Sequence, residues 1–223
     1  MDHTLPPKTQ HELIERTRTI AGLTLGELAQ RQHLTVPAEL LHAKGWIGQL
    51  IEQALGATAG SRAKPDFAEL GIELKTIPLN AQGRPKETTY VCTVPLNEAA
   101  SSWEDSWIRR KLNHVLWLPI EADADLPVSQ RRIGSAILTQ LNSEQDQQLK
   151  QDWLEHMELI ATGRINEISA HHGTYLQVRP KAANNKALRD TTDEDGQSIK
   201  TLPRGFYLRT KFTAEILNQH YAI

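Results

Sequence analysis

The sequence predicts an α/β protein, and three observations carry that prediction. Ile47, Leu50, Ile51, Ala54 and Leu55 recur at i, i+3, i+4, i+7 and i+8, the stripe of an amphipathic helix. Ile72 and Leu74 then alternate with Glu73 and Lys75, and Thr88–Val94 is β-branched and aromatic, so two strands follow. Val115-Leu116-Trp117-Leu118 is a continuous apolar run, the signature of a strand buried on both faces. Helical and extended patterns in alternation place helices against a sheet. A chain of 223 residues fits one large domain or two lobes and can bury a sizeable core.

The elements follow in order. Residues 1–9 read as a loose arm, because Pro6-Pro7 blocks a helix. Leu13, Ile14, Thr17 and Ile20 share one helical stripe between about Gln10 and Ile20, and Gly22 ends it. Thr24-Leu25-Gly26-Glu27 is a capping box that opens a short second helix. The third helix spans Lys44 to Leu55, with Glu52 at the edge of its apolar stripe. The small-residue loop from Gly56 to Ser61 lacks the Gly-Lys-Ser/Thr ending of a P-loop, which rejects ATP binding there. The strand over 71–77 closes at Pro78, and 80–85 is a turn, so 88–94 is expected to pair antiparallel with 71–77. A helix is expected over 103–111 and a long one from Asn142-Ser143 to about Thr162. A short strand is expected at 165–168, a turn at His171-His172-Gly173 and a strand over 175–179 that stops at Pro180. A short helix over 181–188, a mobile acidic turn over 191–196, a strand at Phe206-Tyr207-Leu208 and a helix from about Thr213 complete the chain.

Composition narrows the function. Hydrophobic residues make up 39% and charged residues 23%, as in a soluble globular protein. The formal net charge is -2, so any phosphate-binding surface must be local. Basic stretches occur around 109–111, 179–189 and 200–211, with Tyr175, Phe206 and Tyr207 among them. Residues 121–158 instead carry eight acids against three bases, so the helix there presents either a solvated surface or a protein-docking face. Cys92 is the only cysteine, which excludes an internal disulfide and a multi-cysteine zinc site. The N-terminus lacks the apolar core of a signal peptide, and no run of about 18 apolar residues predicts a membrane span.

The chemistry concentrates between Asp66 and Lys75. Asp66 and Glu73 are two hard carboxylates, which select magnesium or manganese over zinc. Lys75 shares a strand face with Glu73, where an ammonium orients a water or stabilises a developing charge. Glu52, on the helix before, supplies a third carboxylate. An acid-x-Lys strand is usually a solvated face, so the triplet by itself is weak. The adjacent pair His171-His172 lacks the usual spacing of metal ligands, and there is no Gly-x-Ser-x-Gly elbow to supply a nucleophile.

A longer set of blocks resembles the MutH family, strand-discriminating endonucleases of methyl-directed DNA mismatch repair. The blocks are Lys44-Gly45-Trp46-Ile47-Gly48, Leu55-Gly56-Ala57 through Gly60-Ser61, Asp66-Phe67 and Gly71-Ile72-Glu73-Leu74-Lys75-Thr76-Ile77-Pro78. Val115-Leu116-Trp117, the run from Tyr175 to Asn184, and Leu202-Pro203-Arg204-Gly205-Phe206-Tyr207-Leu208 continue the match in order, so it covers nearly the whole chain. The resemblance implies a restriction-endonuclease-like fold, a mixed sheet flanked by helices, as a single endonuclease domain over 1–223 with two arms around a DNA cleft. It implies a cytoplasmic monomer that nicks the unmethylated strand of double-stranded DNA at hemimethylated GATC, 5′ to the G. The cofactor implied is Mg2+, with Mn2+ as a substitute, and the partners are MutL and, upstream, mismatch-bound MutS. By the same resemblance Asp66 and Glu73 are the metal carboxylates, Glu52 a further acid at that site and Lys75 the catalytic lysine. Lys44 resembles an active-site or DNA-contacting lysine, Lys111 a DNA-backbone contact, and Arg179, Lys181 and Tyr207 the elements that read GATC and its methylation. Tyr90 stands where the family has an aromatic, often Phe, so its hydroxyl is a departure.

Two other readings fit parts of the sequence. A DNA-binding protein with structural carboxylates predicts binding without metal-dependent cleavage. A small-molecule phosphohydrolase predicts nucleotide turnover without regard to DNA sequence, and the basic C-terminal third weighs against it.

Overall fold

The computed structural model describes residues 4–37, 40–60, 64–96, 102–181 and 188–221, with the side chains of 40–44, 189 and 192 outside the description. The helices are α1 (Gln10–Ile20), α2 (Leu25–Arg31), α3 (Leu40–Leu55), α4 (Trp107–Leu112), α5 (Ser143–Ala161) and α6 (Thr210–His220). The strands are β1 (Glu73–Leu79), β2 (Thr89–Thr93), β3 (His114–Glu121), β4 (Ile137–Gln140), β5 (Leu176–Pro180), β6 (Arg189–Thr192), β7 (Ser198–Thr201) and β8 (Arg204–Leu208). The chain divides into two compact units, one of Met1–Glu87 with His114–Gln140 and the other of Thr88–Asn113 with Leu141–Ile223.

The first unit is a mixed sheet with helices on one face. β1 runs parallel to β3, and β4 runs antiparallel to β3. Leu74, Leu116 and Leu118 pack on one face against Leu13, Leu25, Leu28, Leu50, Ile51 and Leu55 of the three helices. The opposite face carries Glu73, Lys75, Val115 and Trp117, because side chains alternate along each strand and Glu73 aligns with Val115 and Lys75 with Trp117. Local chemistry defines the helix ends. Thr9 Oγ1 accepts from Glu12 N at 3.1 Å to start α1. At α2, Thr24 Oγ1 accepts from Glu27 N at 3.1 Å while Glu27 Oε2 accepts from Thr24 N at 2.7 Å, the reciprocal capping box.

The second unit is an antiparallel sheet in the order β2-β8-β5, with a separate hairpin of β6 and β7. Leu176, Val178, Phe206 and Leu208 face inward and are buried, as are Trp153 and Met157 of α5 and Phe212 and Ile216 of α6. The 19-residue α5 opens on a second reciprocal capping box, between Asn142 and Gln145. Trp103 is buried, and its indole donates to Asp146 Oδ1 at 3.0 Å.

Several sequence expectations are corrected. β2 does not pair with β1; it pairs antiparallel with β8, far along the chain. The strand β1 takes its partner from β3 and in parallel, a connection that local turn chemistry cannot announce. Residues 165–167 form a 3-10 turn rather than a strand. The helix expected over 103–111 begins only at Trp107, where Ser106 Oγ accepts from Arg109 N at 3.2 Å, and α6 begins at Thr210 rather than Thr213. The acidic stretch 191–196 lies within the β6–β7 hairpin, where Asp193 Oδ1 accepts from Asp195 N and Gln197 N at 3.1 and 2.8 Å. The helix expected over 181–188 falls mostly on 182–187, outside the described residues.

Candidate active site and nucleic-acid interface

The first unit gathers Asp66, Glu73 and Lys75 at the start of β1. A single 3-10 turn, Ala68–Leu70, separates the two acids, and Gly71 completes it with φ 64°, a conformation that suits glycine. Asp66 Oδ2 accepts from Leu74 N at 2.8 Å, so the carboxylate is fastened to the strand beside Glu73. The backbone carbonyl of Asp66 accepts from Thr58 N and Ala59 N at 3.0 and 3.4 Å, which joins the glycine-containing loop after α3 to the same corner.

Glu73 is only 1% exposed. Taking a carboxylate out of water is costly unless a counter-charge and hydrogen bonds offset it. Lys75 Nζ supplies both, donating to Glu73 Oε1 at 2.5 Å. The ammonium has three N–H donors, so the pair leaves capacity for a water or a phosphoryl oxygen.

Glu52 is placed differently. It is half-buried on α3, and a Cβ on Gly48 would meet its Oε1 at 3.8 Å, so the carboxylate lies back toward the preceding turn. It lines a cavity of about 490 Å³ with Gln49, Gln53, Gly56, Thr58 and the N-terminal arm at Leu5. Among the described residues no three His, Cys, Asp or Glu side chains form a group that could hold a metal ion. Glu52 comes from α3, while Asp66 and Glu73 lie just before and at the start of β1.

The donor set nevertheless suits magnesium. Mg2+ keeps several waters and binds through one or two carboxylates plus substrate phosphate oxygens, rather than through a full protein cage. A buried glutamate and an aspartate, both hard oxygen donors at one strand end, fit that preference.

The second unit gathers Arg179, Lys181 and Tyr207, with Tyr90 among them. Tyr90 aligns with Tyr207, and Arg179 with Gly205, on the outer face of β2-β8-β5. The two tyrosine rings meet edge to face at 5.3 Å. The Arg179 guanidinium lies 5.9 Å from the Tyr207 ring and donates to Thr88 Oγ1 at 3.0 Å. Lys181 Nζ donates to Tyr90 Oη at 2.6 Å. Cations and aromatic faces together suit a nucleic-acid backbone and its bases. Lys111 lies in the last turn of α4 with its Nζ 5.2 Å from the Trp107 ring. Lys44 lies in α3, and its side chain is outside the described residues.

Sequence reading left Tyr90 without a role and did not single out Thr88. Alternation along 88–94 pairs Tyr90 with Cys92 on one face. A bulge between Tyr90 and Cys92 breaks that alternation, so Cys92 aligns with the buried Phe206 while Tyr90 stays with Tyr207.

Comparison with known proteins finds relatives along almost the whole chain. The family model described as DNA mismatch repair enzyme MutH matches residues 55–152. The chain is 50% identical over 219 residues to the DNA mismatch repair protein MutH of Serratia proteamaculans, covering 98% of this chain and 96% of that protein. It is 51% identical over 220 residues to the protein of the same name from Shewanella baltica, covering 98% and 99%. The counterpart from Yersinia enterocolitica is 48% identical over 219 residues, covering 98% and 96%. With likeness at that level across almost its full length and a mixed α/β fold, the chain belongs to the MutH family of DNA mismatch repair enzymes.

Proposed function

We propose that this chain is a magnesium-dependent endonuclease of DNA mismatch repair that nicks the unmethylated strand at hemimethylated GATC, 5′ to the G. The observation that carries the reading is the corner at the start of β1. There Asp66 is held to Leu74 N at 2.8 Å and buried Glu73 meets Lys75 at 2.5 Å.

Asp66 and Glu73 would hold Mg2+, with Mn2+ as a substitute. A divalent cation there supplies an activated water and neutralises charge on the scissile phosphate and the leaving oxygen. The reaction adds water to phosphorus and breaks the bond to the 3′-oxygen, leaving a 3′-hydroxyl and a 5′-phosphate on the G. Lys75, anchored on Glu73, turns its remaining donors toward the attacking water or a phosphoryl oxygen. Glu52, on α3, would add a third carboxylate, and a movement of α3 against β1 would keep the enzyme quiet until MutL, recruited by mismatch-bound MutS, engages it. Arg179, Lys181 and Tyr207 read the site, since the adenine N6 edge and the guanine O6/N7 edge are distinct in the major groove. Lys44 and Lys111 contact the backbone. The protein works as a monomer in the cytoplasm; among the described residues no helix is long and apolar enough to cross a membrane.

The test is a nicking assay on a hemimethylated GATC plasmid. Glu73→Ala is expected to lower Mg2+-dependent nicking by at least about 10²-fold while DNA binding persists, and full activity would sink the mechanism. A second reading, a DNA-binding protein with structural carboxylates, draws support from the closed Glu73–Lys75 pair. It expects binding and no cleavage by the wild type in the same assay.

A further inference from the structure

We infer that Tyr90 is a positioning residue for sequence reading, holding the Lys181 ammonium through its hydroxyl. The inference rests on the GATC-specific reading above and deepens it.

Three contacts meet at this phenol. Lys181 Nζ donates to Tyr90 Oη at 2.6 Å and lies 3.8 Å from the centre of the same ring. Tyr90 Oη is also 3.1 Å from Thr93 Oγ1. An ammonium has no acceptor, so the phenol oxygen accepts from Lys181, and the same hydroxyl shares a hydrogen bond with Thr93 Oγ1. The result is a connected set of hydrogen bonds, Lys181 to Tyr90 and Tyr90 with Thr93, that settles where the ammonium sits.

The ring is held as firmly as the hydroxyl. Its edge packs on Tyr207 at 5.3 Å, with the planes 63° apart. Beneath both rings lies Gly205, where an added Cβ would come within 2.9 Å of Tyr90 and 3.0 Å of Tyr207. The bulge after Tyr90 brings Thr93 into line with Gly205, so Tyr90 and Thr93 share the outer face although they are three residues apart. Without the bulge the Thr93 hydroxyl that bonds the phenol would point inward.

What this does to Lys181 is physical. A lysine side chain has many rotamers, and one free in solvent loses that freedom when it binds. Tyr90 takes one of three donors and leaves two, in a restricted direction, for a pair of acceptors such as guanine N7 and O6. A base edge without two acceptors then meets a cation that cannot swing to another partner. The hydroxyl thus contributes to discrimination, while the ring and the charges contribute to binding.

The test compares nicking of plasmids carrying GATC or a single-base variant of it, for wild type, Tyr90→Phe, Lys181→Met and the double variant. Tyr90→Phe keeps the ring and its packing on Tyr207. It is expected to raise KM on GATC with kcat little changed, and to lower the ratio of GATC to variant cleavage by about three- to tenfold. In the Lys181→Met background the same substitution is expected to leave the ratio unchanged. An undiminished ratio in Tyr90→Phe, or an equal drop with Lys181 already removed, overturns the inference. A wild type that cuts both plasmids alike overturns the GATC reading and this inference together. A wild type that discriminates, with Tyr90→Phe discriminating equally well, overturns the inference alone.

Discussion

Lys75 and Glu73 show how two side chains can serve stability and chemistry together. Their side chains are 12% and 2% exposed, so removing the lysine would take an ammonium counter-charge away from a buried carboxylate. Lys75→Met is expected to destabilise the protein by about 3–5 kcal/mol and to abolish nicking. Thermal unfolding followed with and without Mg2+ checks the first part. Because a bound cation would replace the lost counter-charge, Mg2+ should raise the melting temperature of the variant more than that of the wild type, and an equal rise would argue against Glu73 as a metal ligand. His156 offers a second test, in which pH is the variable. It is fully buried, with Nε2 3.2 Å from Leu176 O, and burial pushes its imidazole below the usual histidine range. A depressed histidine stays neutral in the folded state while the unfolded chain takes up a proton. Its contribution is therefore fully present above the ordinary value of 6.5 and lost as pH falls below it. His156→Gln should flatten the fall in melting temperature between about pH 7 and 5, read by circular dichroism.

The elements hold their places through a few local devices. The capping box of α2 satisfies two backbone donors at once, so Thr24→Ala should cost about 1 kcal/mol, read as a lower urea midpoint with an unchanged slope. Arg16 ties three pieces of the first unit together. Its Nη1 donates to Leu5 O at 2.6 Å and to Leu55 O at 2.8 Å, and its Nη2 to Glu12 Oε1 at 2.5 Å. The C-terminus of the Glu52 helix, the N-terminal arm and α1 thereby share one guanidinium. These devices were legible where they are short-range. Thr24 to Glu27 and Asn142 to Gln145 announce their helices, and the 3.6-residue stripes of α1, α3 and α5 locate their inner faces. The bulge in β2 was not legible, because it is decided by the register against β8, more than a hundred residues later in the chain. That one irregularity separates Cys92 from Tyr90 and hid the contact with Lys181.

Across the whole molecule, the chain crosses between its two units three times, after Glu87, Asn113 and Gln140. Neither unit is a contiguous segment. A fragment ending at residue 140 would retain the first unit but leave β2 without β8, its partner. Such a fragment is expected to show protease cleavage within 88–113 while residues 10–31 stay protected, checked by limited proteolysis with mass spectrometry. The net charge of -2 makes DNA binding depend on local cations such as Lys111, Arg179 and Lys181.

Helix positions, the buried strand β3 and the candidate acids Asp66 and Glu73 with Lys75 could be read from residue order, because periodicity, capping and spacing act over a few residues. The partner of each strand could not. Parallel pairing of β1 with β3 and antiparallel pairing of β2 with β8 join segments far apart in the chain, and side-chain patterns say which face is apolar without saying which strand lies alongside. The burial of Glu73 and the meeting of Tyr90 with Lys181 follow from those pairings. Each depends on distances between side chains that sequence order leaves open, and folding alone brings them to the ångström values on which hydrogen bonds and charge pairs act.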